Sequence, residues 1–287
     1  MRKLFFVLAA LAVARPAHAA YWAKAEGGFG ADGYNYQTLA FYGAVSTAAV
    51  AGLEMNFVKN PWLSDEAYSA RLPWYRVSDS GITVLRPFYY HGTSLVPTSA
   101  AGLYTQRLWN LPSSDKDIKL RWALGLGAAS QTTAFNFSDG SFSRKTLPQL
   151  VYEAQFQEEC FKQFFLAATA SVFQYFRGIR NVSLPELAMD QNNVAFLGTL
   201  WSVTAPPLWS AGFEYTRSMP EDEQSFVKIG YHYIEYAVNT PCAHSLTGGI
   251  RAKITDNANL DVNYNWVAPN AGSGALNYYG AAFNVRF

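Results

Sequence analysis

Hydrophobic and polar residues alternate along several stretches of this chain, a pattern that is typical of β-strands with one apolar face. In residues 118–126, Ile118, Leu120 and Trp122 alternate with polar positions such as Lys119. Because successive side chains of a strand point to opposite faces, this period of two predicts a strand that is apolar on one side only. The same alternation predicts further strands in residues 209–216, 227–233, 250–255 and 260–266.

Other stretches alternate less regularly but predict strands on the same grounds. They are residues 22–29, 51–57, 82–90, 102–109, 131–137, 152–156, 164–172 and 195–203. Together with a strand at the carboxyl terminus, the count reaches about fourteen. About twelve strands is the alternative, because residues 30–47 and 131–137 have no clear period.

Two longer interruptions and one tight turn separate the predicted strands. Residues 59–80 and 177–192 show no regular alternation, and we expect them to be the longer, extracellular loops. Asp256 and Asn257 lie between two strands and tolerate the left-handed backbone of a turn. A three-residue loop at this point would place Lys253 opposite Asp261.

The carboxyl-terminal segment, residues 275–287, alternates to the last residue. Phe283, Val285 and Phe287 lie on one face, and Asn284 and Arg286 lie on the other. This segment resembles the closing strand of bacterial outer-membrane β-barrel proteins, which typically ends on a carboxyl-terminal Phe. The resemblance implies an all-β, transmembrane, antiparallel up-and-down β-barrel in the outer membrane of a Gram-negative bacterium. The expected partners are outer-membrane lipids, lipopolysaccharide and the barrel-assembly machinery, which would contact the strand that ends in Phe287.

The amino terminus predicts export. Arg2 and Lys3 precede an uncharged apolar stretch at residues 4–14, and Ala17 and Ala19 have the small-x-small spacing of a cleavage site. This stretch is shorter than the roughly 20 apolar residues of a spanning helix. We therefore predict that residues 1–19 are a signal peptide and that residues 20–287 form a single barrel domain.

Composition supports a barrel and excludes other classes. Aromatic residues make up 16% and charged residues only 15% of the chain, whereas soluble domains contain about 25% charged residues. The near balance of charge gives no basic excess that would indicate nucleic-acid binding. Tryptophans near predicted strand ends suggest aromatic girdles at the two membrane interfaces. They are Trp109, Trp201, Trp209 and Trp266.

The polar faces of the predicted strands supply candidate lumen residues. These are Glu54, Lys119, Arg121, Glu153, Glu214, Lys228, His232, Arg251, Lys253, Asp261 and Arg286. Basic residues outnumber acidic ones in this set, so an open lumen would mildly favour anions. The alternative is that these charges pair with one another, as Lys253 and Asp261 would, and fill or stiffen the barrel.

The remaining candidate chemistry is sparse. Cys160 and Cys242 lie at predicted strand boundaries with four predicted strands between them, which would place them on the same membrane side. A disulfide between them and two separate thiols both remain open. His232 and His244 have no second ligand at a metal-binding spacing, so we expect no metal or cofactor.

His91 is the one candidate for catalysis, because a histidine beside a hydroxyl group can act as a general base. Outer-membrane phospholipases place a His and a Ser two residues apart, followed by Asn-Gly. In this chain Thr93 takes the place of that Ser, and Ser94 and Leu95 replace Asn-Gly. The pattern therefore departs from the phospholipase motif at the residues that matter most.

The sequence thus leaves three functions open. The leading one is a passive channel, or porin, for small polar solutes, and the protein would then not be an enzyme. The second is a lipid hydrolase near His91. The third is a non-conducting structural or surface-interaction barrel. Conductance in a lipid bilayer separates the first function from the other two.

Overall fold

The chain folds into antiparallel β-strands. The computed structural model describes residues 21–30, 35–60, 65–92, 98–113, 115, 117–136, 142–161, 163–176, 207–219, 222–236, 242–269 and 276–287. The strands in this part are β1 (Tyr21–Gly30), β2 (Asn35–Ser46), β3 (Ala49–Asn60), β4 (Asp65–Arg71), β5 (Trp74–Ser78), β6 (Gly81–Gly92), β7 (Thr98–Leu111), β8 (Ile118–Asn136), β9 (Phe142–Cys160), β10 (Phe164–Tyr175), β11 (Pro207–Met219), β12 (Asp222–Tyr236), β13 (Ala243–Thr255), β14 (Ala258–Pro269) and β15 (Leu276–Arg286).

The strands close into a barrel. Neighbouring strands pair antiparallel around the whole sheet, and β15 pairs with β1 to complete the wall. Strands β4 and β5 both pair with β3 and with β6, so together they occupy one strand position in the barrel wall. We call each such strand position a staff (plural staves). The barrel therefore has 14 staves, which confirms the predicted fold class and strand number.

A proline divides the staff formed by β4 and β5. Arg71 pairs with Glu54 and Trp74 pairs with Ala51, so the register continues across the break without a slip. Pro73 lies between the two parts and has no N–H for the ladder. Its carbonyl still accepts a hydrogen bond from the amide of Gly52, at 2.8 Å.

Some individual strand predictions were wrong although the total was right. Residues 59–80 are not a long loop, because most of them form the staff of β4 and β5. Residues 131–137 are not a separate strand, because β8 continues to Asn136. The ambiguous region 30–47 contains β2. The predicted loop 177–192 and the predicted strand 195–203 lie outside the described residues.

The two faces of the wall differ in the way the alternation predicts. Trp122, Ile229 and Phe283 are 39%, 55% and 44% exposed on the outer face, as expected for side chains that face lipid. Their strand neighbours point inward, and Ala123 and Ala282 are each only 1% exposed. Within the described residues, no helix is long and apolar enough to cross a bilayer.

The two ends of the barrel also differ. At the end where Tyr21 and Phe287 meet, the turns after β2, β5 and β13 contain two residues each. We call this end the turn end and the opposite one the loop end, where residues 176–206 connect β10 to β11. Short turns are periplasmic and long loops are extracellular in bacterial barrels, so we expect the turn end to face the periplasm.

The inner face carries an aromatic cluster at the loop end, and apolar residues such as Val84, Leu108 and Ala123 share the rest of it with charged ones. A buried cluster at the loop end consists of Tyr36, Val58, Ala67, Tyr90, Ala100, Val267 and Tyr278, with Phe88 packed against it. The charged inner-face residues described below lie mostly in the middle of the strands and towards the turn end. The interior thus carries an aromatic layer at the loop end, with charged and apolar side chains together between that layer and the turn end.

Candidate functional site

The strand register places every predicted lumen residue on the inner face of the wall. Residues that are directly paired on neighbouring strands share a face, and the buried partners, such as Ala40 opposite Glu54 and Ala167 opposite Glu214, identify the inner one. The inner-face residues include Glu54, Lys119, Arg121, Glu153, Glu214, Lys228, His232, Arg251, Lys253, Asp261 and Arg286. Their contact with a water-filled lumen stays a prediction.

Ion pairs neutralise most of the acidic residues of this face. Arg251 makes a bidentate pair with Asp261, with Nε and Nη2 at 2.6 and 2.7 Å from the two carboxylate oxygens. Arg71 Nη1 lies 3.3 Å from Glu54 Oε2. The remaining pairs are Lys119 with Glu159 at 2.9 Å, Arg121 with Glu159 at 3.6 Å, and Lys24 with Glu26.

Tyrosine hydroxyls bind three glutamates of the inner face. Tyr104 donates to Glu153 at 2.6 Å and Tyr36 donates to Glu26 at 3.0 Å. Tyr42 donates to Glu54, which also receives the hydrogen bond from Arg71. Each carboxylate is therefore held in place by a hydrogen bond along the wall.

These tyrosines lie flat on the wall because glycines make room for them. A Cβ at Gly125 would lie 2.4 Å from the hydroxyl oxygen of Tyr104. A Cβ at Gly52 would lie 2.4 Å from the ring of Tyr42. The inner-face glycines thus allow aromatic rings to cover the wall instead of projecting into the interior.

Among the inner-face residues whose side chains the structure describes, three basic ones make no ion pair. They are Arg86, Lys228 and Arg286. Arg86 donates to the hydroxyl of Tyr75, at 3.4 Å, and its Nε is buried without a hydrogen-bond partner among the described residues. Among the described acids of this face, Glu153 and Glu214 make no ion pair. The inner face therefore keeps a basic excess after pairing.

The predicted pair of Lys253 with Asp261 is wrong. The turn contains two residues and the register shifts by one between Thr255 and Lys253, so Lys253 lies opposite Asn259 and Arg251 lies opposite Asp261. Lys253 instead forms an exposed ion pair with Asp256 in the turn, at 2.6 Å. Because the shift is two residues, both basic side chains keep the face that the alternation predicts.

Of the two alternatives left open for Cys160 and Cys242, the structure has no disulfide between them. Cys160 ends β9 at the turn end, whereas Cys242 directly precedes β13 at the loop end. Three strands, β10, β11 and β12, separate the two positions, and an odd number of crossings places them on opposite sides. The thiols are therefore too far apart for a bond that requires Cα atoms within about 7 Å.

His91 lies on the outer face, not in the interior. Its Nδ1 is 2.9 Å from Oγ of Ser99 on the neighbouring strand, and its ring lies 5.4 Å from the ring of Tyr68. Residues 93–97, which include the predicted partners Thr93 and Ser94, lie outside the described residues. No group of His, Cys, Asp and Glu that could hold a metal ion occurs among the described residues.

The alternation missed several inner-face charges. Lys24 and Glu26 alternate with alanines in β1. They could have been found by pairing β1 with β15, because their partners Asn284 and Ala282 are on the inner face of β15. Glu159 follows the phase of Glu153 along β9. Arg71 was assigned to a loop, and Arg86 lies between apolar inward residues that hide the period.

The predicted girdle tryptophans that the structure describes lie on the outer face near the two ends of the barrel, whereas Trp22 lies on the inner face, stacked on Tyr42. Trp109 stacks on Trp122 near the turn end, with ring centroids 4.6 Å apart. Trp209 lies 4.8 Å from Tyr233 near the loop end, and Trp266 lies near the same end of β14. Trp201 lies outside the described residues.

Comparison with known proteins supports the fold but does not indicate a specific function. No protein-family model and no curated protein matches the chain. Solved structures that are similar include CdiB from Acinetobacter baumannii, at 9% identity and a TM-score of 0.51, over 94% of this chain and 60% of CdiB. A NanC porin has 10% identity and a TM-score of 0.45, over 92% of this chain and 98% of that one. OprB from Pseudomonas putida has 8% identity and a TM-score of 0.47, over 94% and 93%. The fold is that of bacterial outer-membrane β-barrels.

Proposed function

We propose that this outer-membrane barrel is a passive channel for small polar solutes with a mild preference for anions. The number of staves supports an aqueous interior, because eight strands are filled by side chains whereas larger barrels enclose cavities or channels. The observation that carries the proposal is the basic excess of the inner face. Arg86, Lys228 and Arg286 make no ion pair among the described residues, against Glu153 and Glu214.

The proposal includes a location and a set of partners. The chain is exported, loses residues 1–19 and inserts into the outer membrane of a Gram-negative bacterium through the barrel-assembly machinery, which contacts the strand that ends in Phe287. Outer-membrane lipids and lipopolysaccharide then surround the apolar outer face. Mass spectrometry of the mature protein from outer-membrane fractions tests the cleavage site, and an intact residue 1 would contradict export with processing.

Conductance of the purified full chain in planar lipid bilayers tests the channel. We expect stepwise insertion of open channels and, in a potassium chloride gradient, a reversal potential displaced towards that of chloride. The displacement follows from the attraction of anions to unpaired basic side chains. No conductance would favour the structural barrel, and a reversal potential on the potassium side would contradict the anion preference.

A second candidate function is lipid hydrolysis on the outer face. The specific observation is the hydrogen bond between His91 Nδ1 and Ser99 Oγ at 2.9 Å, within the distance expected of a base and a nucleophile. The pair lies near the loop end, where an outer-leaflet lipid would meet it. Release of fatty acid from phospholipid by the wild type, but by neither His91→Ala nor Ser99→Ala, would support this function. Equal release by all three proteins would exclude it.

A further inference from the structure

Two arginines lie close together on the outer face at the turn end. Arg76 of β5 pairs in register with Thr83 of β6, and Thr83 pairs with Arg107 of β7. Their neighbours on the same strands, such as Tyr75 and Leu108, point inward, so both arginines point outward. Two strand spacings separate their Cα atoms by roughly 10 Å. The two guanidinium groups can therefore reach a single ligand above Thr83.

Hydroxyl groups, not carboxylates, surround Arg107. Its Nη1 donates to Oγ1 of Thr83 at 2.7 Å, and its Nη2 donates to Oγ of Ser80 at 2.6 Å and to Oγ of Ser78 at 3.3 Å. Arg76 is exposed, and among the described residues neither arginine forms an ion pair. The patch therefore carries two positive charges that no described carboxylate neutralises by contact.

One acidic residue lies in the adjoining turn. Asp79 is exposed, and its backbone carbonyl accepts a hydrogen bond from Asn110 Nδ2 at 3.0 Å. Its carboxylate makes no ion pair with any described basic group. The patch remains net positive when this charge is included.

Tryptophans place the patch at the depth of lipid headgroups. Trp109 follows Arg107 by two residues on the same face and stacks on Trp122. Tryptophan prefers the membrane interface because its ring is apolar and its N–H is polar. A cationic side chain on the outer wall at this depth meets phosphate groups of the surrounding leaflet.

We propose that Arg76 and Arg107, with Ser78, Ser80 and Thr83, bind the phosphate of an anionic phospholipid in the leaflet at the turn end. The planar fork of a guanidinium group matches two phosphate oxygens, and the hydroxyl groups orient Arg107 and offer further hydrogen bonds. A lipid with net negative charge is favoured over a zwitterionic one, because the latter brings its own ammonium group to a positive patch. This site does not require that the barrel conducts.

Arg217 provides a matched control on the same outer face. It lies near the turn end of β11, is exposed, and its guanidinium carbon lies 5.5 Å from the ring centroid of Phe164. Its register partners, Phe164 and Val227, carry no hydroxyl group. Arg217→Gln therefore removes one outer-face charge without touching the patch.

Retention of lipid by the purified full chain tests the site. Protein in detergent is mixed with phosphatidylglycerol or phosphatidylcholine and the bound lipid is counted by native mass spectrometry. We expect the wild type and Arg217→Gln to retain more phosphatidylglycerol than phosphatidylcholine. The double variant, Arg76→Gln with Arg107→Gln, should bind phosphatidylglycerol roughly tenfold more weakly than the wild type does. If the double variant does not fold, as judged by its heat-modifiable mobility in gels, the single Arg76→Gln replaces it.

Three results would overturn the site. One is equal retention of phosphatidylcholine by the wild type, which would indicate a non-specific lipid belt. The second is an equal loss of phosphatidylglycerol in Arg217→Gln, which would indicate an effect of total charge. The third is displacement of the lipid by inorganic phosphate at the same concentration, which would indicate a site for the free anion and not for a lipid.

Discussion

At the residue scale, the inner wall depends on tyrosines that lie over glycines. Tyr104 crosses Gly125 to reach Glu153, and Tyr42 crosses Gly52 to reach Glu54. The absence of a side chain at each glycine has a structural use that offsets the low β-propensity of glycine. The ring covers backbone, and its hydroxyl fixes a carboxylate on the wall.

A methyl group at Gly125 should therefore destabilise the barrel. The Cβ of Gly125→Ala would lie 2.4 Å from the hydroxyl of Tyr104, which forces that ring off the wall and strains or breaks its bond to Glu153. We expect a loss of about 1–3 kcal/mol in the free energy of unfolding, as for overpacking and a lost hydrogen bond. Urea unfolding in lipid vesicles, followed by tryptophan fluorescence, measures it.

Gly248→Ala is the matched control for this prediction. Gly248 also lies within a strand, but a Cβ added there would meet no atom within 4 Å. We expect a change of about 0.5 kcal/mol or less. A loss at Gly248 equal to that at Gly125 would mean that the effect comes from glycine backbone freedom and not from the covering tyrosine.

Lys228 and Glu214 should control ion selectivity in opposite directions. They lie on adjacent strands of the inner face, and neither makes an ion pair among the described residues. Lys228→Gln should shift the reversal potential towards that of the cation, and Glu214→Gln should shift it further towards that of the anion. The same measurement on Lys119→Gln, whose charge is shared with Glu159, should give a smaller shift than Lys228→Gln. Unchanged potentials in both main variants would place the ion path elsewhere.

At the element scale, one ion pair joins the last three staves. Asp261 of β14 binds Arg251 of β13 through both oxygens and also accepts a hydrogen bond from Asn284 of β15, at 3.2 Å. Asp261→Asn removes the charge and leaves Arg251 half-buried and unpaired. We expect a loss of about 1–3 kcal/mol in the free energy of unfolding, since part of the pair is reached by solvent.

The turn next to this pair supplies its control. Asp256 pairs with Lys253 but is 92% exposed. Exposed ion pairs contribute little because water and salt screen them. We expect Asp256→Asn to unfold at the same urea concentration as the wild type. If the two variants lose the same stability, the contact that joins β13, β14 and β15 has no special role.

Strands with an apolar outer face and a polar inner face could be predicted from the sequence. Strands whose two faces are both apolar, or which a proline interrupts, could not. In β15 and β12 the period of two is clear, and the predicted outer residues are the exposed ones. In β2 the inner face carries Tyr36, Ala40 and Tyr42 while Leu39 and Phe41 point outward, so both faces are apolar and the alternation disappears. The inward aromatic layer is thus the physical reason that this strand was ambiguous.

The staff of β4 and β5 was missed for a different reason. Pro73 interrupts it, and prolines and charges in residues 59–80 resemble those of a loop. The strand survives because pairing on both sides keeps its register across the proline. Long-range pairing of this kind leaves no local signal, so Arg71 and its pair with Glu54 could not be predicted.

At the scale of the whole molecule, the strand total concealed errors that the cysteines reveal. The prediction counted residues 131–137 as a separate strand and omitted β2 and the staff of β4 and β5. It also placed a strand at residues 195–203, which lie outside the described residues, whereas in the wall β10 pairs directly with β11. The total agreed, but the number of strands assigned between Cys160 and Cys242 was even instead of odd. In an up-and-down barrel, each such error moves every later position to the opposite side of the membrane.

The sidedness of these two cysteines tests the orientation of the whole barrel. Short turns identify the turn end as periplasmic, so Cys160 should face the periplasm and Cys242 should lie on the cell surface. In intact cells, a maleimide too large to cross the outer membrane should label Cys160→Ser, which retains Cys242, and should not label Cys242→Ser. Both variants should react equally after denaturation without reductant, because no disulfide joins the two thiols. Labelling of Cys242→Ser alone would mean that the barrel is inserted in the reverse orientation, and labelling of both in intact cells would contradict their separation by the membrane.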